Sequence, residues 1–168
     1  LARAREVISP ATRIAFPDVV VSGGRGAYFW DQGGRRFLDL HAMAAIMNIG
    51  YSHPRHVAAI VEQAQRLVHC NPAYTVHETP VRLAARLVEV TPGTFGKRVA
   101  FGCSGSDAID GAIKLARAAT GRGCVLAFEG AYHGNTYGAL SVSSASPAMS
   151  DGFGPVLPDV VRMEFPRL

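Results

Sequence analysis

Apolar residues fall at two different spacings along this chain, and the spacing changes near residue 52. Before that point, short apolar runs alternate with glycine pairs: Val19-Val20-Val21, Gly23-Gly24, Tyr28-Phe29-Trp30, Gly33-Gly34 and Phe37-Leu38. Runs of this length bounded by turn residues predict short antiparallel strands joined by glycine turns, a small β-meander over residues 19–40. From Pro54 onward the period is helical, with Val57, Ile60, Val61, Ala64, Leu67 and Val68 on one face and proline in a first turn that tolerates it. A second helix follows, with Thr79 as its cap, Pro80 opening it, Leu83, Ala84, Leu87 and Val88 as its stripe, and Thr91-Pro92-Gly93 as its stop.

Arg98 to Cys103 then reads as a buried strand. It leads into a helix from about Ser106 to Ala119, with Ala108, Ile109, Ala112, Ile113 and Ala116 facing inward, and Cys124 to Phe128 reads as the next strand. A strand, a helix and a strand in succession predict a parallel sheet. Ala139 to Val142 and Val160 to Met163 are weaker strand candidates, and SVSSASPAMSDGFG reads as a flexible loop. The chain holds no repeat and no low-complexity tract.

Composition narrows the class of protein. At 168 residues, 48% hydrophobic and 18% charged, the chain can bury an ordinary core, and this predicts a soluble protein. The net charge of +4 is spread over scattered basic residues such as Arg35-Arg36, Lys97-Arg98, Arg117 and Arg122, which is a solvated surface and not a nucleic-acid footprint. Cys70, Cys103 and Cys124 form neither a CxxC pair nor an even framework. Two of them sit in or beside apolar runs that favour burial, and a reducing cytoplasm is the expected compartment. No stretch approaches the roughly 20 apolar residues of a membrane helix, and LARAREVISPATRIAF lacks the pattern of a cleaved leader. The first residue is not Met, and the true start is expected to lie upstream.

The chemistry concentrates at two strand ends. VAFGCSGSDA passes from apolar to small and polar where a buried strand meets a helix. N–H groups at such a helix start point outward, glycine admits a ligand to the backbone, and Ser104 and Ser106 add hydroxyls, a pattern suited to a single phosphate. It lacks the GxxxxGK[ST] of a nucleotide loop, and GGRG in the meander is followed by aromatics where a dinucleotide site needs a helix. The plainer reading is that Ser104 or Gly105 only caps the helix, and on a lone serine-glycine turn that reading weighs more. GCSGS also nearly matches the G-x-S-x-G elbow of hydrolases, with Ser106 in place of the closing glycine, but Glu129 and His133 lie too close together to complete a triad. The second stretch, FEGAYHGNT, opens at the same sheet edge, where Tyr132 can lie flat on a planar ring and His133 can support it. Taken singly, Tyr132 is more often core and His133 more often structural.

Four segments in order, YFWDQGGRRFLDL, NIGYSHPRHVAAI, CSGSDAIDGAIKLARAATGR and AFEGAYHGNTYGALSVS, resemble the landmarks of the class III aminotransferases, over nearly the whole chain. The resemblance implies an α/β protein: the amino-terminal part of a type I pyridoxal phosphate-dependent transferase fold. Residues 1–52 would be a small-domain segment, 53–77 a connecting helix and loop, and 78–168 the first part of the large cofactor-binding domain. It implies pyridoxal 5′-phosphate as cofactor, held at its phosphate by Gly105 and Ser106 with Ser104 beside them. Tyr132 would stack on the ring, with His133 next to it. It implies an amino donor and a 2-oxo acid acceptor as substrates, a homodimer, and no nucleic-acid or membrane partner.

The only lysines are Lys97 and Lys114, and neither matches the family's Schiff-base lysine, which falls beyond Leu168 together with the acid that holds the pyridine nitrogen. The sequence is therefore expected to be the amino-terminal part of a longer enzyme, inactive alone. Ala42-Met43 stands where many members have Ser-Gly, and Tyr51 stands where His is usual, so the pocket wall is expected to differ. SGSDAIDGAIKLARA is also similar to a subgroup that contains amino-acid epimerases. Transamination is the favoured expectation, epimerisation the first alternative, and a non-catalytic phosphate-binding or interaction module the second.

Overall fold

The computed structural model describes residues 2–9 and 19–166, in two units that divide after Val76. Parts of the opening run and of the closing RMEFPRL lie outside the described residues. In the first unit, α1 (Ala2–Val7) precedes strands β1 (Val21–Arg25), β2 (Tyr28–Asp31) and β3 (Arg36–Leu38), which pair antiparallel in that order. The meander is present, but Gly23 and Gly24 lie inside β1 and not in a turn. Trp30 and Tyr51 lie over them so closely that an added Cβ would come within 2.8 Å and 2.6 Å of those side chains. Glycine here serves close approach. The first turn falls at Gly26 and Ala27, with Gly26 at φ 57°.

Asp31 closes the β2–β3 turn. Its Oδ1 accepts the N–H groups of Gly33 and Arg35, each at 2.9 Å, and its Oδ2 pairs with the Arg35 guanidinium at 2.7 Å. The Arg35 side chain, ahead of the backbone donors, holds this carboxyl below its usual range. Beyond β3 the backbone turns left-handed through α2 (Ala42–Ala45), whose φ angles are 50°, 47°, 61° and 63°. Such residues cost roughly 1–2 kcal/mol each, so the surroundings must hold them. Asp39 Oδ1 accepts the His41 N–H at 3.0 Å, and His41 Nδ1 accepts the Ala44 N–H at 2.9 Å. Helix α3 (Pro54–Arg66) follows as expected, except that Leu67 is already extended and Val57, Ile60 and Val61 are exposed.

In the second unit, α4 (Glu78–Val90) begins one residue ahead of the expected cap, with His77 as N-cap. Helix α5 (Gly105–Thr120) ends at Gly121, whose φ of 69° gives the left-handed stop that glycine takes most readily. Its inward face is narrower than expected. Ile113 is buried and Ile109 half-buried, whereas Ala108, Ala112 and Ala116 are exposed. Strand β4 (Val125–Phe128) pairs in parallel with β5 (Val160–Met163), in register from Val125 opposite Val160 to Phe128 opposite Met163. The core here is Ile113, Ala127 and Val142, flanked by Ile109, Val125 and Val160.

Four expectations fail in this unit. Arg98 to Cys103 joins no ladder, and Phe101 is 53% exposed; an apolar run becomes a strand only beside a partner, and among the described residues it has none. Ala139 to Val142 is not a strand but overlaps α6 (Tyr137–Ser141). The parallel crossover therefore runs from β4 through α6 to β5. The first residues of SVSSASPAMSDGFG are not loose either, since Ser141, Val142 and Ser143 are buried. Arg162 secures them by donating to the carbonyls of Ser141 and Ser143, both at 3.1 Å. Finally, Cys103 and Cys124 are exposed and not buried, and all three cysteines are free. Among the described residues no helix is long and apolar enough to cross a membrane.

Candidate functional site

The first turn of α5 is built by reciprocal capping. Ser104 is extended, at φ −155°, and its Oγ accepts the Asp107 N–H at 3.2 Å. In return, Asp107 Oδ2 accepts the Cys103 N–H at 2.9 Å. This is a variant of the pattern in which a serine and an acid three residues on cap one another, with the acid here taking the N–H of Cys103, one residue ahead of Ser104. The capping reading of Ser104 is thus realised. It leaves the N–H groups of Gly105 and Ser106 without a partner among the described residues, at the positive end of a 16-residue helix. A Cβ on Gly105 would meet nothing within 4 Å, so the approach to those donors is open.

Ser106 does two things at once. Its Oγ accepts the Asn135 N–H at 3.1 Å, which leaves its own proton to give to a ligand. Through that bond, α5 holds the segment that carries Tyr132 and His133. Four residues further on, Asp110 Oδ1 accepts the Thr136 hydroxyl at 2.9 Å and the Ala139 N–H at 2.6 Å. The other side of the segment is held by serines: Ser143 Oγ accepts the His133 N–H and Ser144 Oγ accepts the Gly130 N–H, both at 2.9 Å. Tyr132 is 60% exposed, and neither its hydroxyl nor the His133 ring is committed to a partner among the described residues. A free aromatic face and free helix-terminal donors thus lie on segments joined by hydrogen bonds.

Of the five expected residues, Ser104, Gly105 and Ser106 share one helix start, and Tyr132 and His133 share the loop docked to it. This donor set fits a phosphate carried on a planar ring: the N–H groups of Gly105 and Ser106 and the Ser106 hydroxyl would meet the phosphate, and Tyr132 would meet the ring. The Lys97 Nζ is engaged with backbone, donating to the Thr91 carbonyl at 2.5 Å and the Val88 carbonyl at 3.4 Å. Lys114 lies on an exposed position of α5. Sequence reasoning missed Asp110 and Thr136, which are 26 residues apart and carry no local signal that sets them apart from other polar residues. In the first unit, Ala42 and Tyr51 line a cavity of about 270 Å³ together with Asp39, and Met43 does not.

The class-III aminotransferase family model matches residues 9–168. The chain belongs to that family. It is 42% identical, over 93% of its own length, to the isoleucine 2-epimerase of Lentilactobacillus buchneri, of which it covers 35%. It is 41% identical to the acetylornithine aminotransferase of Methanopyrus kandleri, over 96% of this chain and 41% of that enzyme. The structure of a taurine:2-oxoglutarate aminotransferase from Bifidobacterium kashiwanohense, in complex with PLP and glutamate, superposes with a TM-score of 0.86 at 32% identity, over 98% of this chain and 36% of that one. The class III member thus carries part of the type I transferase fold and spans between a third and a half of these relatives' length.

Proposed function

We propose that this class III chain belongs to a pyridoxal 5′-phosphate-dependent aminotransferase that moves an amino group from an amino acid or ω-amino compound to a 2-oxo acid. One observation carries the reading: the open first turn of α5 is hydrogen-bonded, through Ser106, to the segment that bears Tyr132 and His133. Bound cofactor supplies the electron sink for transfer of the amino group. Gly105 and Ser106, with Ser104 behind them, hold the phosphate. Tyr132 lies on the pyridine ring, and His133 supports it from the adjacent position. Lys97 and Lys114 take no part, so the amine that attaches the cofactor comes from outside residues 1–168.

In the same reading, residues 1–52 are a small-domain segment, 53–77 a connector and 78–168 the first part of the cofactor domain. The whole enzyme is a homodimer in the cytoplasm, a compartment in keeping with three free cysteines. The test is purification of the full-length protein, its visible absorbance, and amino-group transfer across a panel of donors with 2-oxoglutarate or pyruvate. Tyr132→Ala should lower cofactor retention, and unchanged retention would remove Tyr132 from the site.

A second reading, an amino-acid epimerase, is favoured by the 42% identity to an isoleucine 2-epimerase. Both activities begin with removal of the same Cα proton and differ in where a proton returns. Loss of optical rotation from one enantiomer with no 2-oxo acid present would select the epimerase; rotation held constant until an acceptor is added would select transamination.

A further inference from the structure

Asp110 sits on the second turn of α5, yet its carboxylate caps a different helix. A threonine before a helix ordinarily turns its oxygen onto an N–H of the first turn. Thr136, the N-cap of α6, makes no such bond. Its hydroxyl lies 2.9 Å from Asp110 Oδ1 and 3.3 Å from the Ser106 carbonyl. Asp110 takes over the capping, since Oδ1 accepts the N–H of Ala139 at 2.6 Å. Ala139 is fully buried, so that N–H has no recourse to water. Gly138 is also buried and packs on the same carboxylate so tightly that a methyl group there would collide with it.

Ser106 and Asp110, four apart on one helix, share a face. That face grips residues 135–139, while the first turn of the same helix offers the N–H groups of Gly105 and Ser106. The serines at 143 and 144 anchor the segment from its other side. Asp110 and Ser106 therefore set the spacing between the anion-binding turn and the aromatic residues.

Resting on the cofactor reading above, we propose that Asp110 is a positioning residue: through Thr136 and Ala139 it fixes where Tyr132 and His133 stand relative to the first turn of α5. It governs the ring end of the ligand and leaves the phosphate end alone.

Two probes separate those ends. Cofactor-stripped full-length protein is titrated with pyridoxal 5′-phosphate and, separately, with inorganic phosphate as the competing anion. Asp110→Ala should weaken pyridoxal 5′-phosphate binding about tenfold, equivalent to about 1.4 kcal/mol, with inorganic phosphate affinity unchanged. Asp110→Asn keeps an acceptor at Oδ1 and should restore most of the loss. Thr136→Val, which removes one of the two bonds, should fall between wild type and Asp110→Ala, and it decides the matter alone if Asp110→Ala does not fold. An equal loss for both probes, or no loss for either, would overturn the proposal. Wild-type protein that does not bind pyridoxal 5′-phosphate would overturn the cofactor reading, and this inference with it.

Discussion

Tyr51 donates its hydroxyl to Asp39 Oδ2 at 2.6 Å, across 12 residues of chain. The same carboxylate accepts the His41 N–H, so one acid fastens the end of the meander both to the start of the left-handed turn and to a residue six positions past its end. The hydrogen bond from Tyr51, followed by backbone donors, holds Asp39 below the usual carboxylate range. Burial first, and then Asp39, push Tyr51 up to about 12.

These two shifts bound stability from opposite sides. Asp39 keeps its charge more readily when folded, so its contribution is present above the ordinary carboxylate value of 3.8 and is lost as pH falls through the lowered one. Tyr51 keeps its proton more readily when folded. Between pH 10.0 and about 12 the unfolded chain ionises first, and stability falls across that interval. Tyr51→Phe should remove the alkaline fall and weaken the acid limb, while Asp31, paired with Arg35, keeps an acid limb of its own. Urea midpoints measured from acid to alkaline pH in both proteins test this; superimposable profiles would refute it.

The left-handed turn stores strain that glycine would release. Met43 has φ 47° and packs only partly. Met43→Gly should stabilise by about 0.5–1 kcal/mol, the left-handed relief less the extra freedom glycine has when unfolded. Ala112→Gly, on an exposed position of α5, should instead destabilise by about 1 kcal/mol. Denaturation midpoints that move in the same direction for both would show that the turn is unstrained.

Ser104→Ala should cost about 1 kcal/mol through loss of the cap on the Asp107 N–H, and Ser104→Gly only a few tenths. If the reciprocal bond from the Cys103 N–H to Asp107 matters, the double variant Ser104→Ala, Asp107→Ala will cost less than the sum of the single ones. Strict additivity would mean that the two bonds act independently.

Gly134 has φ 138° and faces Ser106 so closely that a Cβ would strike its hydroxyl. Gly134→Ala should destabilise by roughly 1–3 kcal/mol from backbone strain and overpacking. It should also break the bond from the Asn135 N–H to Ser106, seen as faster exchange of the Asn135 amide. An Asn135 amide as protected as in wild type would count against this packing.

What the sequence reveals and what it hides divide by the range of the interaction. Apolar runs with glycine turns announce the meander, and helical periodicity announces α3, α4 and α5, because the signal lies within ten or fifteen residues. Gly23 and Gly24 look like turn residues until the rings of Trp30 and Tyr51 are seen over them. Ala139 to Val142 is too short an apolar run to distinguish helix from strand, and the carboxylate that caps it as a helix is 29 residues away. Ser104 to Ser106 is legible because capping is local. The clasp of Asp110 on Thr136 is not, since neither residue alone differs from a solvated polar side chain.

Five residues make α6 far too short to persist on its own in water. Its first-turn N–H is satisfied by a carboxylate that belongs to α5, so α6 exists only while α5 does. Residues 134–143 and the first two turns of α5 should therefore open and close together as one cooperative block, whose amides exchange at a common rate. Fraying that starts at the front of α5 then reaches the aromatic loop directly, and the two halves of the ligand cradle are lost in a single event.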